Sequence, residues 1–274
     1  MSKTIQFGKE LMKRIDEADV TGLSAQLAYF FLLSLFPFLL FLVTLVGFLP
    51  IDDRAIIEIL GTYLPEEVIA MIDANLTHLI TNRSGGLLSI GIIGTLWSAS
   101  NGFNAITKSF NKAYRVDEKR SFFVNRLVAF GLMIGLVLVI AIALLLSVFG
   151  RIIGEKVFGL FGLYDLIQSW NFIRWTFSTI TFFIVFFILY KLAPNEKIKI
   201  KHAMWGAMFT TALWQITSLV FAFYVNTLGN YSATYGSLGT VIVLMIWFYL
   251  SGIIITTGGV INAYMKDRSE RIVE

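Results

Sequence analysis

Along the chain, long apolar runs alternate with short charged ones. Six runs reach or approach the roughly 20 residues that a helix needs to cross a bilayer's hydrocarbon core. They cover residues 25–49, 86–103, 127–149, 175–192, 203–226 and 238–263, and no acid or base stands in their interiors. The pattern predicts an all-α, polytopic membrane protein with six transmembrane helices, forming one domain over residues 1–274. The first run is too long for a cleaved signal peptide, carries Pro37 midway and follows the acids Asp16, Glu17 and Asp19. Helical spacing also marks two amphipathic interfacial elements. Phe7, Leu11, Ile15 and Ala18 precede the first run. Pro65, Glu66 and Glu67 open a second element over 65–80, where Val68, Ile72, Leu76, Leu79 and Ile80 recur. That second element is expected outside the membrane, as a lid on the bundle or at the interface.

Composition agrees. Of 274 residues, 57% are hydrophobic and 15% charged, with mean hydropathy +0.75. Soluble domains are about 45–50% apolar and about 25% charged. With no cysteine, disulfides and thiolate chemistry are excluded. The net charge of +4 is modest, but its placement is informative. Most of the 22 Lys and Arg residues fall in the N-terminal tail, the second and fourth connections and the C-terminal tail. Only Arg54, Arg83, Arg151, Lys156 and Arg174 remain for the opposite side. Short basic segments stay cytoplasmic, so both termini are expected in the cytoplasm.

The second run does not end cleanly. At 100° per residue, Asn101, Asn104, Lys108, Asn111 and Arg115 share one sector, while Phe103, Ile106, Phe110 and Tyr114 share another. An amphipathic helix leaving the membrane fits this pattern, with its aromatic face at the acyl boundary. Two readings stand side by side. One is an exit helix with snorkelling lysines. The other is a basic mouth for an anionic head group, built by Lys108, Lys112 and Arg115.

Four stretches carry a family resemblance. They are "LAYFFLLSLFPFLLFL" (27–42), "LWSASNGFNAITKSFNKAY" (96–114), "LYKLAPN" (189–195) and "YGSLGTVIVLMIWFYLSGIIITTGGVINA" (235–263). In order and over nearly the whole chain, they resemble the YihY/virulence factor BrkB family of bacterial inner-membrane proteins, once mislabelled ribonuclease BN. The resemblance implies a helical membrane protein of unsettled activity, for which envelope integrity, serum resistance and lipid export have been suggested. It brings no catalytic residues.

The residues argue against a nuclease. Metal-assisted phosphodiester cleavage needs clustered carboxylates or histidines, yet His78 and His202 are expected on opposite sides of the membrane. Asp117 and Glu118 read as charge balance for Lys119 and Arg120. No catalytic residue, metal ligand, cofactor or nucleic-acid partner is expected. Proton-coupled carriers usually hold ionisable groups within the membrane, and these runs hold neutral ones instead. Gln26, Tyr29, Ser34, Ser98, Asn101, Asn104, Gln215, Ser218 and Asn262 are candidates to line a groove for a lipid or other amphiphile, although interhelical hydrogen bonding also explains such residues. Pro37, Gly91, Gly94, Gly131 and Gly135 are hinge or packing positions, within the bundle or between subunits of a homo-oligomer. The uncharged connection 226–239 reads as tight external turns. The expected partners are membrane lipids and an anionic amphiphile. Transport or export of a lipid or other amphiphilic envelope molecule is the leading functional expectation, a non-transporting envelope-integrity scaffold comes second and tRNA processing last.

Overall fold

The computed structural model describes residues 3–46, 85–121, 123–132, 134–135, 170–228 and 237–271. Every regular element among them is a helix: α1 (Lys3–Glu17), α2 (Val20–Val46), α3 (Gly85–Tyr114), α4 (Phe123–Leu132), α5 (Trp170–Leu192), α6 (Ile200–Leu228) and α7 (Ser237–Arg271). The expected element at 65–80, His78, the connection 229–236 and most of the third run lie outside the described residues.

Four of the described helices are long and apolar enough to cross a membrane, over Val20–Phe38, Trp175–Leu192, Ile200–Val225 and Val241–Glu270. The expected count of six is therefore met only in part. The second run lies within α3, where Thr95, Ser98, Ser100 and Asn101 dilute its hydropathy. The described start of the third run is the short apolar α4.

Close contacts divide the chain into two units, Phe30–Ala99, and Met1–Tyr29 with Ser100–Glu274. In the first unit α2 runs unbroken through Pro37, whose ring lies against Gly94. A side chain at Gly94 would press on that proline.

In the second unit α7 packs along α6, and α6 along α5. Glycines allow these close approaches. A Cβ at Gly258 would overlap the hydroxyls of Thr210 and Tyr190, and one at Gly259 would overlap the Phe110 ring. A Cβ at Gly206 would meet the Gly258 carbonyl and the Asn262 amide. Phe110, Tyr190, Val260 and Asn262 fill the core around them, fully buried. The inner face of α3 thus differs from expectation. Phe103, Ile106 and Phe110 sit inside the protein, because α3 ends within the bundle and its aromatics meet Gly259 and Tyr190 rather than acyl chains.

Two residues in the left-handed region set chain direction. Asp19 (φ 52°) separates α1 from α2, and its carbonyl accepts the first bond of α2, from Leu23 N at 3.0 Å. Arg115 (φ 56°) closes α3, with Val116 N bonding Asn111 O at 2.9 Å and Arg115 N bonding Lys112 O at 3.1 Å. That pair of bonds is the Schellman ending, usually built on glycine.

Candidate functional site

Two features of the second unit hold its polar chemistry: a bonded end and a cleft. At the end, four segments distant in sequence meet. Asn111 is buried and joins two loops: its Nδ2 donates to Glu118 Oε2 at 2.9 Å, and its Oδ1 accepts from Asn195 N at 2.8 Å. Asn195 Nδ2 donates in turn to Asp117 O at 2.7 Å. The Arg120 guanidinium donates to the carbonyls of Leu192, Ala193 and Pro194 at 3.2, 3.0 and 2.7 Å. It satisfies carbonyls at the C-terminus of α5, where the helix dipole favours a cation.

The N- and C-terminal helices join the same end. Buried Arg14 pairs with Asp267 at 2.7 Å and lies 5.2 Å from the Tyr264 ring centroid. Lys266 pairs with Glu196. Lys112 pairs with Asp19, and Arg115 with Glu17, each at 3.1 Å. The hydrogen bond from Arg115 holds the Glu17 carboxyl below the usual carboxylate range. Burial, reinforced by Glu196 and Asp267, raises the Tyr114 phenol and keeps it neutral. Beneath this layer, Tyr190 Oη contacts Thr210 Oγ1 at 2.5 Å and donates to Ile255 O at 2.8 Å.

The cleft lies between α5 and α6, within two candidate membrane spans. Trp175, Ser178, Phe182, Trp214, Gln215, Ser218 and Leu219 line a cavity of about 250 Å³. Phe182 packs on Trp214 at 4.6 Å, and Trp214 Nε1 donates to Ser251 Oγ of α7 at 3.2 Å, fixing one wall. Gln215 Nε2 donates to Thr179 Oγ1 at 2.9 Å, and Gln215 Oε1 has no donor among the described residues. Outside the cleft the two helices expose Phe172, Ile180, Ile184, Ile216, Val220 and Phe223. Acyl chains suit such a surface, and the cleft opens from it.

The residues expected from sequence to line a groove meet different neighbours. Gln215 and Ser218 belong to the cleft, with the Ser218 hydroxyl bonded to Trp214 O at 2.7 Å. Asn262, on α7, meets α6 at Gly206, nine residues before Gln215 and therefore about 13.5 Å from it along the helix axis. There its Oδ1 accepts from Gly206 N at 2.5 Å, while its buried Nδ2 has no partner among the described residues. Asn101 Oδ1 accepts from Arg126 at 2.7 Å. Asn104 is half-buried with Oδ1 unpartnered among the described residues. Gln26 is half-buried, Tyr29 is exposed, and Ser34 bonds Phe31 O at 2.7 Å. Ser98 is buried.

Of the head-group candidates, Lys112 and Arg115 are held by acids, whereas Lys108 is exposed. Gly91 is buried, and no described atom lies within 4 Å of a Cβ built at Gly131 or Gly135. Trp175, Ser178 and Trp214 carry no signal in the sequence that marks them as cleft residues. Tyr190 and Asn195 stood in a quoted motif, "LYKLAPN", but without their partners.

The family model described as Virulence factor BrkB matches residues 11–273. The ribonuclease-like protein YfkH of Bacillus subtilis (strain 168) is 49% identical over 267 residues, 97% of each chain. A UPF0761 membrane protein of Vibrio campbellii is 28% identical, covering 97% of this chain and 83% of that one. Another, from Aliivibrio salmonicida, is 30% identical over 96% and 84% of the two chains. No solved structure matches.

Proposed function

Because the chain belongs to the virulence factor BrkB family of membrane proteins, we propose that it moves a lipid or other amphiphilic envelope molecule across or within the membrane, using the α5–α6 cleft. The observation that supports this reading is the cleft's mixed lining at membrane depth. Ser178, Gln215 and Ser218 interrupt an apolar wall between two tryptophans. Pockets that enclose a drug-sized ligand run to about 300–1,000 Å³. A cavity of about 250 Å³ takes part of an amphiphile while the remainder stays in the bilayer.

The proposed setting is the bacterial inner membrane, with both termini cytoplasmic. Its support is the gathering of the N-terminal helix, the α3 terminus, residues 193–199 and the end of α7 at one cation-rich end. The test is reconstitution into liposomes holding head-group-labelled lipid, with a membrane-impermeant quencher outside. Wild-type protein should expose the inner-leaflet label, and Gln215→Leu with Ser218→Ala should slow that exposure. Equal rates in protein-free liposomes would overturn the proposal.

A second reading, a non-transporting scaffold, draws support from the bonded end, where Asn111, Arg120 and Arg14 clamp four segments together. RNA processing stands last, despite the name of the Bacillus relative. Among the described residues no three His, Cys, Asp or Glu side chains gather as metal ligands.

A further inference from the structure

Several cations at the bonded end already have partners. Arg14, Lys112, Arg115 and Lys266 are held by carboxylates, and Arg120 by carbonyls. Lys197, Lys199 and Lys201 are exposed, and their ammonium groups have no hydrogen-bond or ion-pair partner among the described residues. We infer that these three lysines form the surface that grips anionic phospholipid in the leaflet where α6 enters the membrane.

The local geometry favours this assignment. The segment 197–199 is non-helical and joins directly to α6 at Ile200. Side chains alternate along extended backbone, which accords with buried Ile198 between exposed Lys197 and Lys199. The segment is anchored from behind. Asn195 N bonds Asn111, Glu196 pairs with Lys266, and Lys191 Nζ donates to Ile198 O at 2.5 Å. Glu196 is thereby turned away as a local counter-ion.

Immediately beyond, the first turns of α6 expose Ile200, Met204 and Trp205. Their apolar surface continues into a candidate membrane span. Cations beside exposed aliphatic and indole groups match the head-group layer of a bilayer, where tryptophan is enriched and anionic lipids attract lysine. The N-terminal end of the α6 dipole adds positive potential in the same place. A free phosphate would use the charges but leave the apolar strip unmatched. The surface therefore fits a lipid bearing an anionic head group.

The test uses the full chain purified in detergent, with native mass spectrometry counting retained phosphatidylglycerol and phosphatidylcholine. At roughly fivefold per lysine, Lys197→Gln with Lys199→Gln and Lys201→Gln should lower phosphatidylglycerol retention at least tenfold and leave phosphatidylcholine unchanged. Lys112→Gln with Arg115→Gln should retain it, because those cations already face acids. Unchanged retention in the triple variant would overturn the inference. So would equal loss in the double variant, or displacement of the lipid by inorganic phosphate or by a short single-stranded RNA. Should the triple variant not fold, the wild-type chain carries the test. Its phosphatidylglycerol retention must fall as salt rises, and a flat response overturns the assignment.

Discussion

Tyr190 shows how much a single hydroxyl is asked to do. It bonds Thr210 and Ile255 O, while Gly258 leaves it room and Phe110 lies against its ring. Tyr190→Phe should cost about 1–2 kcal/mol by leaving buried groups unsatisfied. Gly258→Ala should cost about 1–3 kcal/mol by overpacking. Both effects would appear as lower unfolding midpoints in detergent, with the two losses less than additive because the residues share one contact.

Arg115 balances two small terms. Its left-handed backbone costs about 1–2 kcal/mol in a non-glycine residue, and its solvent-screened pair with Glu17 offsets little of that. Arg115→Gly should therefore leave stability unchanged or slightly raised. The depressed Glu17 acidity is stabilising above the ordinary carboxylate range and is lost as pH falls through the lowered value. Arg115→Gln should raise that titration point, measurable by NMR with labelled glutamate. None of this was legible in sequence. The acids that meet Lys112 and Arg115 lie 93 and 98 residues away, so a basic stretch concealed two ion pairs.

At the scale of elements, periodicity marked α3 as continuing past its apolar run, and the helix does continue to Tyr114. It did not tell a core from a lipid boundary, because an aromatic face satisfies either apolar surrounding. The same ambiguity concealed the α5–α6 cleft. Gln215 and Ser218 were visible as polar residues, but nothing in the sequence pattern distinguished Trp175 and Trp214 from other aromatics of the runs. The amphipathic α1 was legible, and its clasp was not. Arg14, with its side chain 6% exposed, reaches Asp267 at the other end of the chain. Arg14→Leu should destabilise the docked helix by about 1–3 kcal/mol. Faster proteolysis within residues 3–17, with later cleavage sites unaffected, would register the loss.

For the whole molecule, the apolar runs and their basic flanks carried the membrane assignment. Four runs are matched by helices of sufficient length and hydropathy. The proposed orientation rests on where lysine and arginine fall, with α1 and α7 meeting at one end. Alkaline phosphatase fused after Glu274 should be inactive in cells, and strong activity would reverse the topology. The function was less legible than the fold. A groove in a membrane protein is built from neutral side chains, and the same types also serve ordinary helix packing.

In the proposed function an acyl chain enters the α5–α6 cleft beside Trp214. A variant keeping only that tryptophan, placed in lipid discs with brominated acyl chains, measures this directly. Strong fluorescence quenching is expected, weakening when Ser218→Phe fills the cavity. Quenching that is absent, or unchanged by the filled cavity, would contradict it.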